Sequence, residues 1–105
     1  MTERELLELA AKAAGFNLVW DFDEYMEGPC TVDEDGFPNF WNPIDDDGDA
    51  LRLAVKLELH ITNANGHAWA STEFHDATEP YGSDRSAATR RAIVRAAAEI
   101  GKAMP

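Results

Sequence analysis

Four aspartates stand within five positions in the stretch WNPIDDDGDALRLAVKL, which runs from Trp41 to Leu57. Carboxylates at alternating positions around a glycine are typical of a calcium loop, in which oxygen ligands occupy positions 1, 3, 5 and 12 and glycine occupies position 6. With Gly48 at position 6, Pro43 and Ala54 stand at positions 1 and 12, so two required ligands are missing. A register on Gly36 fails at the same two positions. The sequence therefore does not predict a calcium site.

The same aspartates suit the start of a helix. A carboxylate at a helix N-terminus accepts hydrogen bonds from unpaired backbone N–H groups and complements the helix dipole, which contributes about 0.5–1 kcal/mol. We predict Asp47 or Asp49 as the N-cap of a helix that continues from Ala50 to Val55. One or two of the four carboxylates would serve this helix, and the others have no local partner in the sequence. We therefore expect the excess charge to serve a binding partner.

Two further sets of side chains could hold a metal. Asp21 and Asp23 follow a short apolar run, as the paired carboxylates of an aspartyl phosphatase do around magnesium, but the chain is too short for that enzyme scaffold. The other set is three histidines and a carboxylate that a hairpin could bring together on zinc, with Glu73 and His75 on one strand face. Its members are His60, His67, Glu73 and His75. These sets support an alternative hypothesis, a small metal-dependent enzyme or metal-binding module.

No nucleotide-binding, serine-hydrolase or zinc-protease motif occurs in the chain. We therefore predict no catalytic residue, no metal and no cofactor. The single cysteine, Cys30, excludes an internal disulfide, and the sequence contains neither a signal peptide nor an apolar run long enough to span a membrane. These features predict a cytoplasmic protein.

Charge is distributed unevenly along the 105 residues, whose net charge is −11. Between Asp21 and Asp49 there are eleven acidic residues and no basic one, whereas five basic residues and one acidic residue follow from Arg85 onward. An acidic protein repels nucleic-acid phosphates, which makes nucleic-acid binding unlikely as a function. We predict instead an acidic face that binds a basic protein surface, in its sharpest version a nucleic-acid mimic that inhibits a host system. The candidate residues of this face are Asp33, Glu34, Asp35, Trp41, Asp45, Asp46, Asp47 and Asp49.

The arginines of the last segment support two other hypotheses. They could give a small nucleic-acid footprint, or a contact between copies of the chain through a basic helix. The interpretation that we favour is pairing with acidic groups of the same chain. The four residues are Arg85, Arg90, Arg91 and Arg95.

Patterns of apolar residues define the elements that position these groups. Thr2 and Glu5 form a capping box for a helix over residues 3–14, which Gly15 ends. A strand over 16–20 is followed by a turn-rich segment, residues 21–44, in which Cys30–Val32 could form a short strand. Large apolar residues between the charges of that segment predict that it packs partly onto the body. For Trp41 we favour a core anchor, although it is the tryptophan whose ring we expect to be partly exposed.

The second half reads as a hairpin followed by a long helix. Alternation from Leu57 to Ile61 predicts a strand, Asn65-Gly66 a tight turn, and residues 67–74 the return strand. A loop over 76–83 leads to a final helix that Ser83 or Ser86 caps and that ends near Ala103. The chain is thus predicted to be one α+β domain, residues 1–105, with a small antiparallel sheet of three to four strands against helices in the order α-β-(β)-α-β-β-α.

Three segments carry a family resemblance: TERELLELAAKAAG at the start, WNPIDDDGDALRLAVKL in the centre and AATRRAIVRAAAEIG near the end. They resemble the NinX-like group of small phage and prophage proteins of unknown function. The likeness covers about half of the chain and leaves out residues 21–40. It implies an accessory role in a bacterial host and supplies no catalytic residues. We therefore expect a non-catalytic phage accessory protein that binds a host or phage protein.

Overall fold

A computed structural model describes residues 1–105, which form three helices and two three-stranded antiparallel sheets. The elements are α1 Glu3–Ala14, β1 Leu18–Trp20, β2 Pro29–Val32, β3 Pro38–Phe40, α2 Asp47–Lys56, β4 His60–Ala64, β5 His67–Ser71, β6 Asp76–Pro80 and α3 Arg85–Ala103. The predicted α+β class is confirmed, with one strand more in each half than the sequence predicted and two sheets instead of one. None of the helices has the length and apolar character needed to cross a membrane.

Helix α1 begins and ends as its sequence predicts. The Thr2 hydroxyl accepts a hydrogen bond from the backbone N–H of Glu5 at 3.1 Å, and Gly15 ends the helix in the left-handed conformation with φ 76°. Its apolar stripe, which includes Leu7 and Ala11, is buried against α3. Caps at both ends and one apolar face therefore fix the position of α1.

Helix α3 lies at the centre of the fold and contacts α1, α2 and the sheet formed by β4–β6. Its N-cap is Asp84, whose carboxylate accepts a hydrogen bond from Ala87 N–H at 3.0 Å, so the predicted caps Ser83 and Ser86 are wrong by one or two residues. Six of its eight buried residues are alanine or glycine. Small side chains let neighbouring backbones approach closely, most of all where Gly101 meets Leu9 of α1.

The first sheet has the order β1-β2-β3, and β3 is an element that the sequence analysis missed. The short segment Pro38–Phe40 contains proline and asparagine, which are poor strand formers, so only its pairing with β2 identifies it. Leu18 and Trp20 on β1 pack against the core. The strand register places Val19, Cys30 and Phe40 together on the opposite face.

The predicted strand Leu57–Ile61 is wrong in its first half. Helix α2 runs to Lys56, and its last turn leads into a bend in which Leu59 N–H bonds to the carbonyl of Ala54 and Glu58 has φ 55°. Leu57 and Leu59 pack against the core from this bend, which gives the alternating apolar pattern without a strand. The strand itself, β4, begins at His60.

The predicted hairpin after β4 is confirmed. Asn65 and Gly66 both have positive φ, 54° and 76°, as a two-residue type I′ turn requires. The return strand β5 ends at Ser71 rather than at residue 74. A third strand, β6, then pairs with β5 where the sequence predicted a loop. Pro80, the last residue of this edge strand, had suggested the loop, but proline is tolerated at such a position.

We expect Gly101→Ala to lower the free energy of unfolding by about 2 kcal/mol, because the added Cβ would overlap the Leu9 carbonyl, whose carbon would lie only 2.8 Å away. Urea unfolding followed by circular dichroism measures this change. Gly48→Ala in α2 is the matched control, since its new Cβ would meet only the ends of the Arg52 and Asp46 side chains at 3.2 Å. The control should keep or raise stability by up to about 1 kcal/mol. Equal stability of both variants would contradict close packing of α1 on α3.

Candidate protein-interaction surface

The four carboxylates at the start of α2 all have partners within the chain. The N-cap is Asp46 rather than Asp47 or Asp49, and its side chain accepts a hydrogen bond from Asp49 N–H at 2.8 Å. Asp49 accepts a bond from the backbone of Asn42 at 2.9 Å and pairs with Arg52 at 2.7 Å. The excess carboxylates that we expected to be left for a binding partner are thus paired within the chain, three locally and Asp47 with a residue distant in the sequence.

The remaining two carboxylates connect this helix start to other parts of the molecule. Asp45 accepts a hydrogen bond from Asn42 Nδ2 at 3.2 Å. Asp47 pairs at 2.6 Å with Arg90, whose Nε also donates to the backbone carbonyl of Ile44 at 2.8 Å. Arg90 lies on α3, far away in the sequence, which is why local spacing did not reveal it. Through these contacts the four aspartates anchor helix α2.

Trp41 is a core anchor, as we favoured, and it is only 5% exposed. Its ring meets Phe16 edge-on with the ring centres 5.7 Å apart, and its backbone N–H donates to the carbonyl of Pro29. Ile44 is buried as well. Trp41 therefore belongs to the interior and not to an exposed binding face.

The connection between β1 and β2, residues 21–28, is shaped by two of its aspartates. Asp21 accepts a hydrogen bond from Gly28 N–H at 2.7 Å, and Asp23 accepts from the N–H groups of Tyr25 and Met26. Glu24 and Glu27 in the same connection are exposed and make no side-chain hydrogen bond or ion pair within the chain. The two aspartates thus shape the connection, and the two glutamates that follow them remain free.

The turn between β2 and β3 follows the same division. The Asp33 carboxylate accepts hydrogen bonds from the backbone N–H groups of Asp35 and Phe37 at 3.0 and 2.9 Å. The side chains of Glu34 and Asp35 are exposed and have no partner within the chain. Asp33 therefore serves the turn, and its two acidic neighbours do not.

The strand order separates the predicted acidic residues into two groups. In an antiparallel meander the β1–β2 connection and the β2–β3 turn lie at opposite ends of the sheet. The chain leaves β3 beside Pro29, so Asp45–Asp49 follow from the end that carries residues 21–28. Asp33–Asp35 lie at the other end, about 10 Å away for strands of three to four residues. The structure does not gather the eight candidate residues into one cluster.

Exposed aromatic side chains occupy the same meander. We expected the segment to pack partly onto the body, and Trp41 and Ile44 do so, whereas other large apolar residues do not. Tyr25 is 84% exposed, Phe37 66% and Phe40 61%, and Phe22 is also exposed. We call these aromatics and the unpartnered carboxylates near them the meander surface. Its members are Phe22, Glu24, Tyr25, Glu27, Glu34, Asp35, Phe37 and Phe40.

Three of the four arginines, Arg90, Arg91 and Arg95, pair with carboxylates of the same chain, as we favoured, whereas Arg85 has no carboxylate partner. Besides the Arg90 contacts, Arg91 lies 3.4 Å from Glu3, and Arg95 lies 2.8 Å from Glu79. The Arg85 guanidinium stacks over the ring of Tyr81. A contact with nucleic acid or with another copy through Arg90, Arg91 and Arg95 would have to break these internal pairs.

The histidine set is not assembled as predicted. Glu73 and His75 lie in the loop between β5 and β6 rather than on a strand face. His67 lies at the turn end of the hairpin, opposite to His60. No three histidine, cysteine, aspartate or glutamate side chains come close enough to hold a metal ion.

Comparisons of the chain with protein-family models, with curated proteins and with solved structures find no match.

We expect Asp46→Ala to lower the free energy of unfolding by about 1 kcal/mol, because it removes the side chain that caps α2. Asp46→Asn should keep most of the stability, since asparagine caps equally well. Glu34→Ala is the control and should change stability by less than about 0.5 kcal/mol, because its exposed side chain makes no hydrogen bond or ion pair within the chain. Chemical denaturation measures all three, and equal values for Asp46→Ala and Glu34→Ala would refute the division between structural and free carboxylates.

Proposed function

We propose that this chain is a non-catalytic protein-binding module, a phage- or prophage-encoded accessory protein that acts in the bacterial cytoplasm. Its meander surface would bind a host or phage protein that presents basic side chains. The observation that carries this proposal is the exposure of Tyr25, Phe37 and Phe40 beside carboxylates that have no partner within the chain. The phage context rests on the resemblance of the three sequence segments described above.

The aromatic residues would supply most of the binding energy. Large aromatic side chains lose unfavourable contact with water when a partner covers them, and they dominate the energetics of many protein interfaces. Phe40 stands opposite the buried Cys30 in the strand register, and its own side chain remains 61% exposed. Tyr25 and Phe37 lie in the loops at the two opposite ends of the same sheet. An apolar area framed by polar groups is typical of a protein-binding site.

Charge favours a basic partner. No lysine or arginine occurs between Asp21 and Asp49, so nothing within that segment neutralises Glu24, Glu27, Glu34 or Asp35. Lysine and arginine side chains can pair with these carboxylates and can also stack on exposed aromatic rings. A net charge of −11 would steer such a partner from a distance. The partner we expect therefore combines an apolar patch with arginine or lysine at its rim.

The proposal is tested by capture of proteins from a bacterial lysate on the immobilised chain. We expect the triple variant Tyr25→Ser, Phe37→Ser, Phe40→Ser to lose at least about 90% of the captured partner, since hot-spot aromatics contribute about 2 kcal/mol or more each. Phe74→Ser is the matched control, because Phe74 is 83% exposed but lies outside the meander surface. Equal loss in both variants, or no loss in the triple variant, would count against the proposal.

A charge variant tests the electrostatic part separately. The double variant Glu24→Lys, Glu27→Lys should weaken capture and reduce its dependence on salt, whereas Glu73→Lys, Glu99→Lys makes the same change in charge away from the meander. Capture that is insensitive to salt and to the first variant would contradict a basic partner. Addition of duplex DNA distinguishes the nucleic-acid mimic: DNA should displace the captured protein only if the chain occupies a nucleic-acid groove.

A further inference from the structure

Strand β4 forms an open edge of the second sheet. The two-residue turn makes Ala64 and His67 a hydrogen-bonded pair, and such pairs alternate along an antiparallel ladder. The N–H and C=O groups of Ile61 and Asn63 therefore point away from β5. No backbone bond outside the regular elements reaches either residue, and all five residues of β4 are exposed. Ile61 and Asn63 therefore each present one unpaired N–H donor and one unpaired C=O acceptor at this edge.

The β4 edge also lacks the features that prevent an edge strand from pairing with another chain. Proteins protect such edges with proline, charged residues or bulges. The opposite edge, β6, carries Asp76, Glu79 and Pro80, whereas the sequence of β4, HITNA, contains no proline and no lysine, arginine or carboxylate. In a chain with a net charge of −11, an edge strand without carboxylates is a template for pairing.

Helix α2 has no strand beneath it. It packs on α3 beside the sheet, and a groove of about 690 Å³ lies between α2 and β4 with α3 as its floor. Leu51 of α2, Ile61 of β4 and Ile93 of α3 line this groove, and Leu51 is 63% exposed. The layer formed by α2 and α3 is thus wider than the sheet of β4–β6 by about the width of one strand. A strand added at β4 would occupy the missing place.

We propose that this strand is β4 of a second copy, so that the protein forms a dimer about a twofold axis at Thr62. Antiparallel pairing would place Ile61 opposite Asn63 of the second copy, and the reverse, which joins the outward-pointing groups in two hydrogen-bonded pairs. The result is a six-stranded sheet. Because paired residues share a face, Ile61 of each copy would enter the groove of the other beneath Leu51.

The second copy is the occupant that fits the charge of this edge. Pairing of β4 with itself brings no like charges together, since His60 would stand opposite Ala64 and Thr62 opposite Thr62. The overall charge of −11 per copy still opposes association at long range, and salt screens this repulsion. Added salt should therefore strengthen the dimer, whereas it should weaken capture of a basic partner at the meander surface. The two proposals are thus independent and have opposite salt dependence.

Analytical ultracentrifugation of the full chain over the micromolar range, at low and high sodium chloride, tests the dimer. Asn63→Pro removes the outward N–H, and Asn63→Ala is its matched control, because both variants lose the bond from Asn63 Nδ2 to Thr89 Oγ1 but alanine keeps the N–H. We expect dimers for the natural chain and for Asn63→Ala, stronger at high salt, and association at least about tenfold weaker for Asn63→Pro.

A second pair of variants tests the dimer if Asn63→Pro fails to fold. Leu51→Arg places a charge where the second copy would pack, on an exposed helix position that tolerates arginine. Phe74→Arg makes the same change on the loop between β5 and β6. Leu51→Arg should be monomeric with an unchanged circular dichroism spectrum, and Phe74→Arg should remain a dimer. A natural chain that is monomeric throughout, or Leu51→Arg that associates as well as Phe74→Arg, would overturn the proposal.

Discussion

Close approach of helices to the small-residue surface of α3 is the constraint on which the rest of the fold depends. Alanine and glycine at its buried positions let α1, α2 and the second sheet all pack on the same helix. The contact between Gly101 and the Leu9 carbonyl sets how near α1 can lie. A core built in this way contains few large side chains, so its stability depends on short distances more than on apolar volume.

The same helix explains why an acidic run is tolerated at the start of α2. Arg90 reaches from α3 to both the Ile44 carbonyl and the Asp47 carboxylate, and it is largely buried by these contacts. Asp46 and Asp49 are held by the backbone of the helix start and of Asn42. Repulsion among close carboxylates is therefore offset by hydrogen bonds and by two arginines. The aspartates at the start of α2, which we expected to bind a partner, thus stabilise the fold. The carboxylates without partners in the chain lie on the meander surface.

The parts of the fold that the sequence predicted are those with strong local signals. Thr2 and Gly15 mark α1, Asn65-Gly66 marks the hairpin, and the apolar stripe of α3 marks the last helix. The strands β3 and β6 were missed because only pairing with a neighbour makes Pro38–Phe40 and Asp76–Pro80 extended. The bend at Leu57–Leu59 imitated a strand because its two leucines serve the core from a turn.

The candidate surface was predictable in composition but not in arrangement. The sequence revealed the acidic segment, yet it could not tell turn-forming aspartates from free glutamates, since that difference depends on backbone N–H groups that the fold brings near. It also could not tell that Trp41 would be buried while Phe40 would be exposed, because that difference depends on tertiary packing, in which Trp41 joins the core and Phe40 does not.

The loose attachment of the first sheet has a consequence for how such a protein can change. Leu18 and Trp20 join this meander to the core, while its other face and its two loops contribute little to the packing around α3. Substitutions there can alter the shape and chemistry of the exposed surface at small cost in folding free energy. The segment from residue 21 to residue 40 can therefore accept new binding specificities while the helices and the second sheet stay the same.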